Sequence, residues 1–240
     1  MTVAMVDEPM QGWKVEGPPR VPGKRAVRPR PSATLLIVRR DGPRPRLLMG
    51  RRHGGHSFMP GRWVFPGGRL DRADRRAPVA ADLPPQTQAL FDAHLPAGLG
   101  RALALAAVRE TWEEAGLLLA RPAPARPGAG PWRGFLAMGA LPDLSGIDVV
   151  GRAITPPMVA KRFDAWALTV GAESLLTLER APDCGELEEI AWVGFDEALG
   201  LSLAPITRVF VTEAQARMKH PGRPRPFVRH RAGYMRIGTL

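Results

Sequence analysis

The 240-residue chain has a single cysteine, Cys184, so it holds no internal disulfide and no site built from several thiolates. It has no apolar run near the roughly 20 residues that a membrane-spanning helix needs. Its opening residues, Met1 to Val6, are followed by Asp7 and Glu8. They have neither the basic start nor the apolar stretch of a secretory signal. These absences lead us to expect a cytoplasmic protein with no membrane partner. No internal repeat is visible. Acid is missing from one end: residues 217–240 carry seven basic side chains and no acidic one. Residues 1–31 carry six basic and three acidic ones, so the two ends hold +10 of the formal net charge of +11. Basic ends of this kind suit nucleic acid or an anionic surface. The alternative, which the composition favours, is a pair of solvated arms in an arginine-rich chain.

What is present is an ordinary globular composition, 45% hydrophobic, with room for one large domain or two small ones. Residues 14–32 are rich in Pro, Arg and Gly and read as an extended lead-in. We expect a flexible basic N-terminal segment over 1–32, a folded domain over 33–219 and a basic tail over 220–240. Ala33 to Val38 reads as a buried strand, Asp41-Gly42-Pro43 as a turn and Leu47 to Met49 as the return strand of a hairpin. Residues 53–61 suggest an exposed loop, and Trp63-Val64-Phe65 a short strand ended by Pro66-Gly67-Gly68. From Ala102 to Leu119 the spacing is helical, with Leu105, Val108, Trp112 and Ala115 on one face and Gly116 near the end. Residues 121–134 read as a loop, Phe163 to Val170 and Glu189 to Val193 as strands, and 205–219 as a helix opened by Pro205. Short strands mixed with helices indicate an α/β or α+β sandwich.

The segment that carries chemistry is Arg109-Glu110-Thr111-Trp112-Glu113-Glu114-Ala115-Gly116. Glu110, Glu113 and Glu114 stand at i, i+3 and i+4, so a helix places three carboxylates on one face. Gathering like charges costs free energy unless something positive is bound. A hard divalent cation that also meets substrate phosphates fits that demand. The plainer explanation is a solvated acidic face with Arg109 as its salt-bridge partner. The string R-E-x-x-E-E-x-G fixes five positions, however, and arises by chance about once in 10⁶ starting positions at average usage.

This string resembles the Nudix box, G-x5-E-x7-R-E-U-x-E-E-x-G-U with U apolar. Trp63-Val64-Phe65-Pro66-Gly67-Gly68 is similar to the strand and double glycine that open the box. Asp74 falls where the family has Glu, and Thr111 falls on an apolar position. Between Asp74 and Arg109 lie 34 residues where the pattern has seven, an insertion over about 75–101. One branch, the peroxisomal coenzyme A diphosphatases, carries an insertion at this place. Phe58-Met59-Pro60-Gly61, Gly67-Gly68-Arg69-Leu70-Asp71 and Arg162-Phe163-Asp164 resemble that branch. The resemblance covers about residues 33–200.

The resemblance implies an α/β/α sandwich around a mixed sheet and an enzyme that cleaves a diphosphate linkage in a nucleotide-like small molecule. It implies Mg²⁺ or Mn²⁺ bound by Glu110, Glu113 and Glu114, with the Gly68 carbonyl completing the set. Glu113 and Glu114 would be catalytic through that metal, and Arg109 would clamp the helix. A later acid, from Glu186, Glu188 and Glu189, would act as base or ligand. Arg51, Arg52, His53 and His56 would flank the entrance, and Arg51, Arg52 and His56 are the expected substrate contacts. Met59, Phe65 and Phe163 would line a pocket or simply belong to the core. The insertion is expected as a lid. Coenzyme A or acyl-coenzyme A is the expected substrate, and a dinucleotide, nucleotide sugar or capped RNA needs the same chemistry. The competing reading is a non-catalytic sensor or nucleic-acid-binding regulator. The resemblance also leaves room for a homodimer and, less favoured, for nucleic acid as a partner.

Overall fold

The computed structural model describes residues 27–55, 60–157, 159, 161–181, 187–231 and 234–240. Most of the expected N-terminal segment lies outside the described residues, as do His56, Phe58, Met59, Cys184 and Glu186. The run Ala33 to Val38 is the heart of strand β1 (Arg30–Arg39), where Leu35, Leu36 and Ile37 are fully buried. The run is continuous rather than alternating because helices cover both faces of the strand. Asp41 turns the chain, accepting hydrogen bonds from Arg39 Nε at 2.7 Å and Arg46 Nη2 at 3.0 Å. Strand β2 (Arg46–Arg52) follows, and the hairpin pairs Val38 with Leu47 and Arg39 with Arg46.

Beyond those two pairs β1 and β2 part company. Strand β3 (Trp63–Val64) pairs with β2, and strand β4 (Gly67–Arg69) pairs with β1, setting Gly68 beside Ala33. The sheet therefore forks, and the Pro66-Gly67-Gly68 corner sits in the fork. Pro66 O accepts from Leu35 N at 2.9 Å and from Thr34 Oγ1 at 2.8 Å, which pins the corner to β1.

Helix α1 (Pro85–His94) leads into helix α2 (Leu99–Ala115), which ends where Gly116 adopts the left-handed conformation at φ 67°. Gly116 N–H donates to Trp112 O at 2.9 Å, a C-cap that a β-carbon would strain. Strand β5 (Ala120–Pro122), helix α3 (Arg133–Ala137) and strand β6 (Ala140–Pro142) form a small annex. Strand β7 (Asp148–Ile154) runs antiparallel to strand β8 (Phe163–Gly171), and β8 lies parallel to β1 over nine pairs. Strand β9 (Leu187–Gly194) pairs with β2. Helix α4 (Phe195–Gly200) and helix α5 (Pro205–Lys219) follow, then strands β10 (Pro226–Arg231) and β11 (Tyr234–Thr239). The nine-stranded mixed sheet runs β11-β10-β7-β8-β1-β2-β3, with β4 on β1 and β9 on β2. One core cluster joins the sheet to α1 and α2, and a second joins its other face to α4 and α5. This is the expected sandwich with a mixed sheet. Among the described residues, no helix is long and apolar enough to cross a membrane.

Three expectations need correction. The helix read over 102–119 runs over Leu99–Ala115, because Gly116 ends it and Leu117, Leu118 and Leu119 turn into the core. The insertion is no loose lid. Ala77, Leu83 and Phe91 are buried in the α2 core, and Phe91 packs on Trp166 with ring centroids 4.9 Å apart. Burying one such ring is worth about 1.5–3 kcal/mol. Gly100 makes the contact feasible, since a β-carbon there would sit 2.2 Å from Phe91. This cover explains why α2 is buried on every side from Ala102 to Arg109 and amphipathic only beyond. Finally, residues 220–240 are not a solvated tail. Pro226–Arg231 joins the sheet beside β7, Tyr234–Thr239 pairs with it, and Val228, Met235 and Ile237 are buried.

Candidate active site

Arg109 organises the end of α2 beside the fork. It is 4% exposed and uses all five N–H donors. Nε donates to Asp74 Oδ1 at 2.9 Å, and Nη2 donates to Asp74 Oδ2 at 3.2 Å and to Arg69 O at 3.0 Å. Nη1 donates to Glu110 Oε1 at 2.8 Å and Glu113 Oε2 at 2.6 Å. A lysine has three donors and no fork, so it could not hold this set. Burial works against the charge of Arg109. The Asp74 hydrogen bond and the charges of Glu110, Asp74 and Glu113 outweigh it and hold the guanidinium above the ordinary arginine range.

Asp74 is fully buried in a short 3₁₀ turn, Ala73–Arg76. Besides Arg109 it accepts from Asp71 N at 2.7 Å and Trp132 Nε1 at 3.0 Å. A carboxylate one methylene shorter than glutamate thus reaches Arg109 because the turn brings its backbone close.

The three glutamates differ in exposure. The side chain of Glu114 is 2% exposed, that of Glu110 17% and that of Glu113 35%. Glu114 Oε2 accepts from Gly67 N at 2.8 Å, and Arg52 Nη2 stands 3.8 Å from Glu114 Oε1. A side chain at Gly67 would strike Ala33 O at 2.5 Å, and one at Gly68 would lie 2.4 Å from the Glu110 carboxyl carbon. Only glycines let the corner approach both β1 and the carboxylates. A depression of about 230 Å³ opens beside them, lined by Arg69, Leu70, Asp71, Arg109, Glu110 and Pro131.

The residues present fit a hard divalent cation. All the donors are oxygens, and the Gly68 backbone lies directly against Glu110. Among the described residues, no three His, Cys, Asp or Glu side chains form a ready-made cage. The reason is visible in the contacts: Glu110 and Glu113 lean on Arg109, while Glu114 leans on Gly67 N.

The structure separates the other expected site residues. Arg52 points to Glu114, whereas Arg51, on the opposite face of β2, meets Glu189 at 3.1 Å and Glu188 at 3.8 Å. His53 Nε2 stands 3.3 Å from Glu188. His56 and Glu186 lie outside the described residues. Phe65 is buried in the α5-side core, and Phe163 is part-buried at the start of β8. Two residues of the site escaped sequence reading. Trp132 fell in a stretch read as loop, although a tryptophan amid Pro and Gly signals an anchor. Arg180 Nε donates to Ala115 O at 3.0 Å, placing a cation at the C-terminal end of α2.

No family model matches the chain. Among solved structures, it is similar to the NUDIX hydrolase from Alicyclobacillus acidocaldarius: 26% identity, 80% of this chain and 96% of that one covered, TM-score 0.55. The MutT NUDIX hydrolase from Burkholderia pseudomallei is 19% identical, with 78% and 98% covered and TM-score 0.46. The NUDIX domain of Shewanella oneidensis NrtR, complexed with ADP ribose, is 12% identical, with 80% and 90% covered and TM-score 0.47. The chain shares its fold with the Alicyclobacillus enzyme and carries an R-E-x-x-E-E-x-G string on the helix beside a double glycine, which together support an enzyme of the Nudix pyrophosphohydrolase kind.

Proposed function

We propose that the chain hydrolyses the diphosphate linkage of a nucleoside diphosphate derivative, coenzyme A or acyl-coenzyme A, using Mg²⁺ or Mn²⁺ held by Glu110, Glu113, Glu114 and the Gly68 carbonyl. The observation that carries this reading is placement: Glu110, Glu113 and Glu114 gather at one end of α2 against the Gly67-Gly68 corner, with Arg109 holding two of them and Gly67 N the third. Oxygen donors gathered in this way suit a hard divalent cation. When bound, the cation neutralises phosphate charge and acidifies water. Arg109 holds the glutamates in place from behind, and Asp74 and Trp132 hold Arg109. Arg69, exposed on the rim of the depression, is placed to meet a substrate phosphate. Coenzyme A is supported by the branch-like segments Gly67-Gly68-Arg69-Leu70-Asp71 and Arg162-Phe163-Asp164 and by the position of the insertion.

The test is cleavage of a panel of coenzyme A, acyl-coenzyme A, NADH, ADP-ribose and diadenosine polyphosphates with and without Mg²⁺ or Mn²⁺, using wild type and Glu113→Gln. We expect metal-dependent cleavage, fastest on the coenzyme A compounds and lost in the variant. Faster cleavage of another compound removes the coenzyme A assignment alone. Cleavage that ignores both metal and the variant removes the site assignment.

A further inference from the structure

The C-terminal hairpin presents a second, differently built surface. One face of β10 and β11 buries Val228, Met235 and Ile237 against the α5-side core. Strand side chains alternate, so the other face carries Phe227, Arg229 and Arg231 of β10 with Tyr234 and Arg236 of β11. The register sets Arg229 directly opposite Arg236 and Arg231 opposite Tyr234. The guanidinium of Arg229 lies 4.8 Å from the Phe227 ring centre, and that of Arg236 lies 5.8 Å from Tyr234. On the adjoining β7, Arg152 stands 4.9 Å from Phe227 and 5.1 Å from Trp166. Guanidiniums and rings therefore interleave across three strands.

Among the described residues, no acid is seen paired with the arginines of the hairpin face. Arg229, Arg231 and Arg236 are exposed, and residues 214–240 contain no acid. Neighbouring acids are already taken, Asp164 by Arg152 at 2.6 Å and Asp148 by Arg225 at 2.7 Å. Like charges directly opposite in a ladder destabilise it. A polyanion lying across the pair reverses that cost.

We infer that this face binds single-stranded nucleic acid, with phosphates on Arg229, Arg231 and Arg236 and bases stacked on Tyr234 and on the guanidinium planes. An exposed tyrosine ring beside guanidinium planes suits unpaired bases, whereas a duplex hides its base faces. A membrane is disfavoured, because Tyr234 is the one large exposed hydrophobic of the hairpin among the described residues. The row Gly68-Ala33-Trp166-Arg152-Phe227 runs across β4, β1, β8, β7 and β10. Four strand spacings, about 19 Å, thus separate the ladder from the glycine corner. Binding here and hydrolysis at the glutamates are therefore separable.

The experiment is fluorescence anisotropy of a labelled single-stranded RNA of about 12 nucleotides, and its DNA counterpart, with the full chain at low and physiological salt. Duplex, heparin and phosphatidylserine vesicles serve as comparators. The double variant Arg229→Gln/Arg236→Gln should weaken binding about tenfold or more and reduce the salt slope by about 1.4. Tyr234→Ala should weaken it about fivefold or more, and Tyr234→Phe should restore it. All variants should keep wild-type circular dichroism and wild-type hydrolysis of small substrates. Unchanged affinity in the double variant overturns the inference. So does indifference to Tyr234→Ala, or equal affinity for duplex, heparin or vesicles, each of which marks a non-specific polyanion or membrane surface.

Discussion

Arg109 on α2 and Arg217 on α5 are both nearly buried arginines, on opposite faces of one sheet, yet their surroundings are balanced in opposite senses. Arg109 sits among Asp74, Glu110 and Glu113, and its charge is held more firmly than in water. Arg217 shares Glu213 with Arg223 and spends donors on Arg223 O at 2.7 Å and Pro221 O at 2.8 Å. Burial, then the neighbouring charge of Arg225, push Arg217 below the ordinary arginine range despite Asp148 and Glu213. Three guanidiniums there face two carboxylates. The α5 cluster closes on itself and ties the C-terminal hairpin to the helix. The α2 cluster instead stands against the glycine corner and opens on a depression lined by Arg109 and Glu110. A buried ion cluster thus marks a reaction site by what it opens onto, not by burial alone.

The sharpest way to break this comparison is by stability. Arg109→Ala and Glu213→Ala should each cost about 3–5 kcal/mol in urea unfolding, since each strands buried partners of the opposite sign. A loss below about 1 kcal/mol in either would show that its cluster is not a unit. Activity should then separate the two. Glu114→Gln should lower kcat by about a hundredfold or more, while Glu213→Gln should leave kcat of the folded protein at the wild-type level. Metal binding gives a third contrast. Mn²⁺ at a hundred times its Kd should stabilise wild type by about 2.7 kcal/mol. Glu213→Gln should retain that gain and Glu113→Gln should lose it, as read by thermal shift. The smallest effect falls on Trp132→Phe, which removes one hydrogen bond to Asp74 and should cost about 1 kcal/mol. Full stability in that variant would mean that Arg109 and Asp71 N suffice to position Asp74.

Much of this was legible in the sequence where one local pattern decided the outcome. The apolar run of β1, the Pro205 start of α5 and the i, i+3, i+4 glutamates each announce themselves. The rest depends on partners distant in the chain. Nothing near Asp74 says that Trp132 will donate to it, because the two meet only when the 3₁₀ turn at Gly130–Trp132 folds against the one at Ala73–Arg76. Phe91 gave no signal of burial, since its pocket is made by the absence of a side chain at Gly100. The C-terminal hairpin misled for a different reason. Its outward positions hold Arg229, Arg231 and Arg236, so counting charge hides the period-two pattern of Val228, Met235 and Ile237.

The insertion also changes how the molecule must fold. Asp74 and Arg109 are separated by 34 residues where seven suffice in an uninterrupted box. Closing the longer loop costs about 1.4 kcal/mol more in chain entropy. Docking of Phe91 offsets a loss of that size, so the clamp and α1 are expected to form as one cooperative unit. A chain with α1 prevented from docking, by Phe91→Asp, would then lose hydrogen-exchange protection at the glutamate end of α2, far from the substitution itself.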